Sequence, residues 1–314
     1  MQIVDFTAAH IEQAGQIAKQ SYDEERGYVP ALPPVVSVPD LMTSAEDGLG
    51  VVAFEGDTML GFLCSVKPFQ NAFGSTEAIG VFSPLGANGA IGHDRAKIYA
   101  RLYQVAGEKW VRAGASSHAI CLYAHDKETQ EQFFRYGFGL RCIDAIRGVD
   151  EIAAPLCDGY TFSELASERY SEVYRLDMML HRHCLESPFF MVKPCITETE
   201  FLESLGDDRF FVARKDNETV AFLCASQAGE TFLRDIPGYI HAHGAYCLPE
   251  HRGKGLLQGL LRLAVATLRD DGYKHLGVDF ESINPPAYAF WLKYFDAYTH
   301  SVVRRIDEGA LMKR

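Results

Sequence analysis

The sequence is short of positive charge. Its 30 Lys and Arg stand against 42 Asp and Glu, giving a formal net charge of −12. Binding to a phosphate backbone or an anionic lipid surface needs a surplus of Lys and Arg, so neither nucleic acid nor membrane is an expected partner. An acidic surface suits a cationic substrate such as an amine. Long apolar runs are also missing, and no stretch would span a bilayer. The opening residues Met1-Gln2-Ile3-Val4-Asp5 lack the basic and then apolar segments of a signal peptide. No CxxC pair occurs among the 8 Cys, and most lie in apolar runs such as Phe62-Leu63-Cys64. Buried free thiols in a reducing compartment are expected rather than a disulfide framework. The expected location is cytoplasmic, and no metal is expected. The phosphate-binding patterns GxxxxGK[ST] and GxGxxG are absent.

What is present describes a globular chain, 47% hydrophobic and 23% charged. Its 314 residues exceed what one core usually serves, so two domains are expected. The halves repeat. Val52-Ala53 and Phe62-Leu63-Cys64 recur 160 residues later as Val212-Ala213 and Phe222-Leu223-Cys224. Turn-forming residues separate the paired runs, Glu55-Gly56-Asp57 in one copy and Lys215-Asp216-Asn217 in the other, so each copy reads as a β-hairpin. Phe133-Phe134 and Phe138 match Phe290-Trp291 and Phe295, each cluster following an apolar strand. Matches in one order at nearly one displacement point to duplication. The seam is expected near Asp150 to Gly159, dividing the chain into 1–153 and 154–314. Each half reads as a mixed α/β layer with a hairpin, a central strand, a long helix and an aromatic-rich short helix.

Residues 239–272 carry the chemistry. A strand from Tyr239 to Cys247 runs through Leu248-Pro249-Glu250 into His251-Arg252-Gly253-Lys254-Gly255. Leu256, Leu257, Leu260, Leu261, Ala264, Val265 and Leu268 then recur at helical spacing, with Gly272 placed to end the helix. A strand, a glycine turn and a helix N-terminus form an anion site, because the first helical N–H groups lack internal partners and the dipole favours negative charge. Gly253 and Gly255 let the backbone approach a phosphate, and Arg252 and Lys254 add charge.

Here the sequence resembles the GNAT superfamily of N-acetyltransferases, whose phosphate-binding turn reads Arg/Gln-x-x-Gly-x-Gly/Ala after a strand and often Pro-Glu. Arg252, Gly255, Pro249 and Glu250 fit, and Leu257 departs from the final small residue. An Asn followed by Ala and an aromatic pair after the next strand is a second family feature, here Asn284, Ala287, Phe290 and Trp291. The resemblance implies two GNAT-like domains in tandem: a degenerate one at 1–153, where Leu85 to Gly92 has glycines but no Arg, and one at 154–314 with an acetyl-CoA site. It implies direct acetyl transfer to an amine. Cys247, Leu248, Arg252, Gly253, Lys254, Gly255, Leu256, Leu257 and Asn284 would hold the cofactor, with a backbone N–H near Leu248 facing the thioester carbonyl. Asn284 could equally cap the following helix.

His241 lies 11 residues before Arg252, where several family members carry a catalytic Glu, and is the first candidate base. His243, two residues on and so on the same strand face, could serve instead; either is otherwise a core histidine. Tyr288 and Tyr294 flank Trp291, which stands where many members carry a Tyr acid, and are either acids or packing aromatics. Asp279 and Glu281 could bind a cationic substrate. Cys247 has no evident His–Asp partner and reads as a buried thiol. A CoA-binding sensor or scaffold is the alternative to an enzyme. Monomer and homodimer both remain open. A proline-containing loop from Tyr28 to Asp40 could line an acceptor cleft.

Overall fold

The structure, a computed structural model, describes residues 1–34, 39–155 and 157–312. Residues 35–38 of the expected acceptor loop and residue 156 of the expected seam lie outside them. The chain runs β1 (Gln2–Asp5), α1 (Ile11–Tyr28), α2 (Met42–Asp47), β2 (Val51–Glu55), β3 (Thr58–Leu63), β4 (Gly80–Ser83), β5 (Asn88–Ala90) and α3 (Arg95–Arg112). It continues through β6 (Ser117–Tyr123), α4 (Lys127–Arg135), β7 (Gly139–Gly148), β8 (Thr161–Glu164), α5 (Ser171–His183), α6 (Glu198–Ser204), β9 (Arg209–Lys215) and β10 (Glu218–Ser226). After β11 (Tyr239–Cys247) come α7 (Leu256–Asp270), β12 (His275–Glu281), α8 (Pro285–Tyr294), β13 (Asp296–Ala297), β14 (Thr299–Arg305) and α9 (Glu308–Leu311). Among the described residues no helix is long and apolar enough to cross a membrane.

Two compact units result, Met1–Asp144 with Asp296–Arg314, and Ala145–Phe295. They differ from the expected halves around the seam and in β14. That strand closes the first unit by pairing with β6 and β7.

The repeated hairpins have one register. Val52 pairs with Phe62 in β2–β3, and Val212 pairs with Phe222 in β9–β10. Each turn uses left-handed backbone, Gly56 at φ 58° in one and Asp216 and Asn217 at φ 49° and 67° in the other. In the first unit one layer has the order β1-β2-β3-β5 and the other β4-β6-β14-β7, with β4 and β6 parallel. In the second unit the order is β12-β11-β10-β9-β8, with β11 and β12 parallel. β10 is buried throughout Val220 to Ser226, which requires cover on both faces; α5 and α7 both pack on it.

The place of the glycine turn in the first unit is taken by β5. The Asn88 side chain donates to Ser83 Oγ at 3.0 Å and Cys121 O at 3.1 Å, and accepts from Tyr99 Oη at 2.8 Å.

His118 lies wholly buried in β6, with Nδ1 2.9 Å from Tyr103 Oη and Nε2 3.3 Å from Ala115 O. Burial pushes its pKa down from 6.5 to about 4, against the Ala115 hydrogen bond. Between those values the unfolded chain binds a proton that the folded one refuses, so stability falls as pH drops through the window. The shift corresponds to about 3 kcal/mol. Urea unfolding of His118→Gln is therefore expected to vary less between pH 7 and 4 than that of the parent chain. Parallel curves would contradict this assignment.

Candidate functional site

β11 is shared between two neighbours over different lengths. It pairs with β12 from Tyr239↔His275 to Ala242↔Val278, and with β10 as far as Cys247↔Ala221. Beyond Ala242 and Val278 no further pairing between β11 and β12 occurs among the described residues, so the two strands part. The Leu248 N–H donates to Val220 O at 3.0 Å. The amide of Leu248 itself is thus spent on β10, which narrows the expected donor near Leu248 to its neighbours. Antiparallel alternation then turns the N–H groups of Ala245 and Cys247 toward the open side.

A short turn through Pro249 to His251 leads to Gly253 at φ 75° and Gly255 at φ 80°, both left-handed. The first internal bond of α7 is Gly259 N–H to Gly255 O at 3.0 Å. The N–H groups of Leu256, Leu257 and Gln258 precede it and have no helical acceptor, and no side chain caps them. A Cβ at Gly255 would lie 2.4 Å from Pro155 Cγ, whereas one at Gly253 would meet nothing within 4 Å. The far end of α7 closes as the sequence predicts: Gly272 at φ 90° donates to Arg269 O, and Tyr273 N–H to Leu268 O.

The parted strands and the helix start enclose a groove of about 440 Å³. Ala245, Tyr246 and Cys247 line it from β11, and Arg252, Gly253 and Gly255 to Gln258 at its head. Leu180 and His183 of α5 form one wall, and Asn284, Ala287, Phe290 and Trp291 another. Leu248, Lys254, Tyr288 and Tyr294 are not among the lining residues.

Arg252 Nε donates to Cys247 O at 3.0 Å, and its guanidinium lies 5.3 Å from the centre of the Tyr246 ring. Lys254 Nζ donates to Glu250 O at 3.0 Å and Tyr160 Oη at 3.3 Å. Burial pushes the Cys247 thiol up to about 11, with Arg252 opposing, so the group is a neutral thiol near pH 7. Asn284 does cap α8, accepting from Ala287 N–H at 3.4 Å, and still lines the groove.

His241 is 1% exposed, and both ring nitrogens are engaged. Nδ1 lies 2.8 Å from Tyr239 Oη, and Nε2 2.7 Å from Asp279 Oδ1. Burial pushes the Asp279 carboxyl up, but the hydrogen bond and charge of His241, with the charges of Lys193 and His243, together outweigh it and hold the group below its ordinary value. Asp279 is the first β12 residue past the parting point, and its side chain is 29% exposed. His243 does not simply alternate with His241. Cys224 pairs with Gly244 and Ala225 with Ala242, leaving His243 as the extra residue of a β-bulge. Its Nε2 lies 2.8 Å from Asp208 Oδ1. Tyr288 is 43% exposed and packs edge-on to Phe280, while Tyr294 packs beside Phe290.

Sequence reasoning missed Tyr246 and the α5 wall. Tyr246 stood in an apolar strand with nothing to distinguish it, and Leu180 and His183 belong to no motif.

Residues 172–296 match the sequence model of the Acetyltransferase (GNAT) family. This segment is a GNAT domain. The chain as a whole has the GNAT fold in tandem. A GCN5-related N-acetyltransferase from Sphaerobacter thermophilus superposes with a TM-score of 0.55 at 10% identity, covering 97% of this chain and 95% of that one. A GCN5-related glucosamine N-acetyltransferase region of a fungal multi-domain GH3 β-N-acetylglucosaminidase gives 0.50 at 13%, covering 96% of this chain and 38% of that one. At these identities the likeness is one of fold. No curated protein matches the sequence.

Proposed function

We propose that the chain is an N-acetyltransferase that passes the acetyl group of acetyl-CoA directly to a cationic amine. The observation that carries this reading is the trio of unpaired amides at the start of α7, facing a groove beside the parted strands of a GNAT domain. Acetyl-CoA supplies the acetyl group as a thioester open to attack. The Leu256, Leu257 and Gln258 amides and the helix dipole bind its pyrophosphate, with Arg252 adding charge. Leu180, Ala287 and Phe290 shield the groove from water. The open-edge amides of Ala245 and Cys247 replace Leu248 as donors to the cofactor arm and to the carbonyl oxygen on which charge develops.

Asp279 attracts the ammonium; once one proton has passed to solvent the neutral amine attacks the thioester carbon, and Asp279 takes the second N–H proton as the C–N bond forms and the C–S bond breaks. His241, braced by Tyr239, orients that carboxylate. His241 is thus a positioning residue in this reading, since neither of its nitrogens is free. Tyr246, whose phenol is raised by burial with Arg252 opposing, stays protonated and replaces Tyr288 and Tyr294 as the donor to the departing thiolate.

Thiol release with a panel of amines tests this proposal. Turnover is expected, and di- or polycationic amines should exceed acidic amino acids by more than about tenfold in kcat/KM, about 1.4 kcal/mol. Acetyl-CoA binding without turnover on any amine would favour the sensor or scaffold reading instead. The occupied nitrogens of His241 are the observation on its side.

A further inference from the structure

The β-bulge at His243 has a consequence apart from acyl transfer. It brings the imidazole over β10, where three donor atoms from three neighbouring segments meet. Asp208 Oδ1, immediately before β9, lies 2.8 Å from His243 Nε2. Cys224 Sγ, on β10, lies 3.4 Å from each of those two atoms. These are unlike elements converging on one point, a carboxylate, a thiol and an imidazole, rather than a run of acids. They lie within 4.8 Å of one another as a group able to hold a metal ion.

We propose that Asp208, Cys224 and His243 form a zinc site with a fourth position open to solvent or to a ligand. The dimensions support it. The circle through three atoms with these separations has a radius of about 1.9 Å, so a point just off their plane lies about 2.0–2.3 Å from all three, the lengths zinc keeps to oxygen, nitrogen and sulfur. The two separations to sulfur, 3.4 Å each, match the edges of a tetrahedral face, roughly 3.3–3.6 Å for such bonds, and the 2.8 Å oxygen-to-nitrogen edge would open by about 0.5 Å on binding. A mixed sulfur, nitrogen and oxygen set suits zinc better than the harder calcium or magnesium.

The surroundings hold the ligands in place. Gly206 N–H donates to Asp208 Oδ2 at 2.9 Å, which fixes the carboxylate and leaves Oδ1 for the site. Cys224 is 2% exposed on a strand paired on both sides, so its backbone is held in place and its sulfur is buried beside the other two donors. The His243 side chain is 35% exposed, which places the open coordination position toward solvent. On binding, the Cys224 thiol gives its proton to solvent and its thiolate bonds the metal. Where His243 Nε2 carries hydrogen, that proton leaves too, and the ring keeps one on Nδ1.

Cobalt(II) titration of the full chain tests the proposal with no acetyl-CoA present, after chelator treatment and reduction. One Co²⁺ per chain is expected to give visible bands of four-coordinate intensity and a near-ultraviolet thiolate-to-metal band, both removed by Zn²⁺. Cys224→Ser should abolish the near-ultraviolet band. His243→Gln should weaken affinity by more than about tenfold. Cys195→Ala, altering an exposed cysteine elsewhere, should change neither. The His243 side chain is about one-third exposed, outside the buried core that holds Cys224, so its variant decides the matter even where Cys224→Ser does not fold. Absence of the thiolate band in the parent chain, or its persistence unweakened in His243→Gln, would overturn the proposal and leave a hydrogen-bonded triad only.

Discussion

Gly255→Val is expected to reduce acetyl-CoA affinity by at least about 100-fold, or 2.7 kcal/mol. Two independent causes act at that residue. The left-handed backbone at φ 80° costs an L-residue about 1–2 kcal/mol, and more for a β-branched one. The new Cβ would also stand 2.4 Å from Pro155 Cγ, a ring carbon with little freedom to retreat. Relief of both requires the turn to move, and the Leu256, Leu257 and Gln258 amides move with it. Gly253→Ala provides the contrast. It meets the backbone cost without the collision, since nothing lies within 4 Å, and its loss should be clearly smaller. Calorimetric titration of both variants, with thermal unfolding alongside, checks the order. Equal losses would remove Pro155 from the account.

Asp279→Asn is expected to lower kcat by about 10²–10⁴-fold while leaving acetyl-CoA affinity nearly unchanged. The carboxylate lies at the fork of β11 and β12 and not in the groove lining, so the effect should fall on the amine step. The amide neither attracts an ammonium by charge nor accepts its proton. In the parent chain burial raises this carboxyl, and the His241 hydrogen bond together with the nearby charges of His241, Lys193 and His243 more than offsets it, holding the group below its ordinary value of 3.8. Its contribution to stability is therefore present above the unfolded value of 3.8 and is lost as pH falls through the lower folded value. His241→Asn should fall between the two chains, because the amide still donates to Asp279 without matching the imidazole's reach. Steady-state kinetics at saturating acetyl-CoA separates these outcomes. A parent-like kcat for Asp279→Asn would remove this carboxylate from proton handling.

How far the sequence announced this arrangement depends on whether the cause was local. The hairpins, their turns and the helix after Gly255 follow from short-range periodicity and left-handed positions, and the structure has them where the sequence predicts. The equal registers Val52↔Phe62 and Val212↔Phe222 give the repeat a physical form. What escaped was set by long-range pairing. The parity of the β10–β11 ladder decides that Leu248 faces β10 and Ala245 and Cys247 face the groove, and parity follows from register rather than composition. The bulge that lifts His243 out of alternation is likewise invisible without its partner strand. The closure of the first unit by β14 is a third case, because a strand does not reveal at which distance along the chain it finds its neighbour. Asp208 carried no motif, and only the bulge gives it a role.

The central claim is that the start of α7 is a CoA pyrophosphate site, and calorimetric titration of acetyl-CoA into the full chain tests it most directly. One cofactor is expected to bind per chain of the parent protein, with no measurable binding to Gly255→Val over the same concentration range. Absence of binding to the parent chain, or parent-like binding to a folded Gly255→Val, would contradict it.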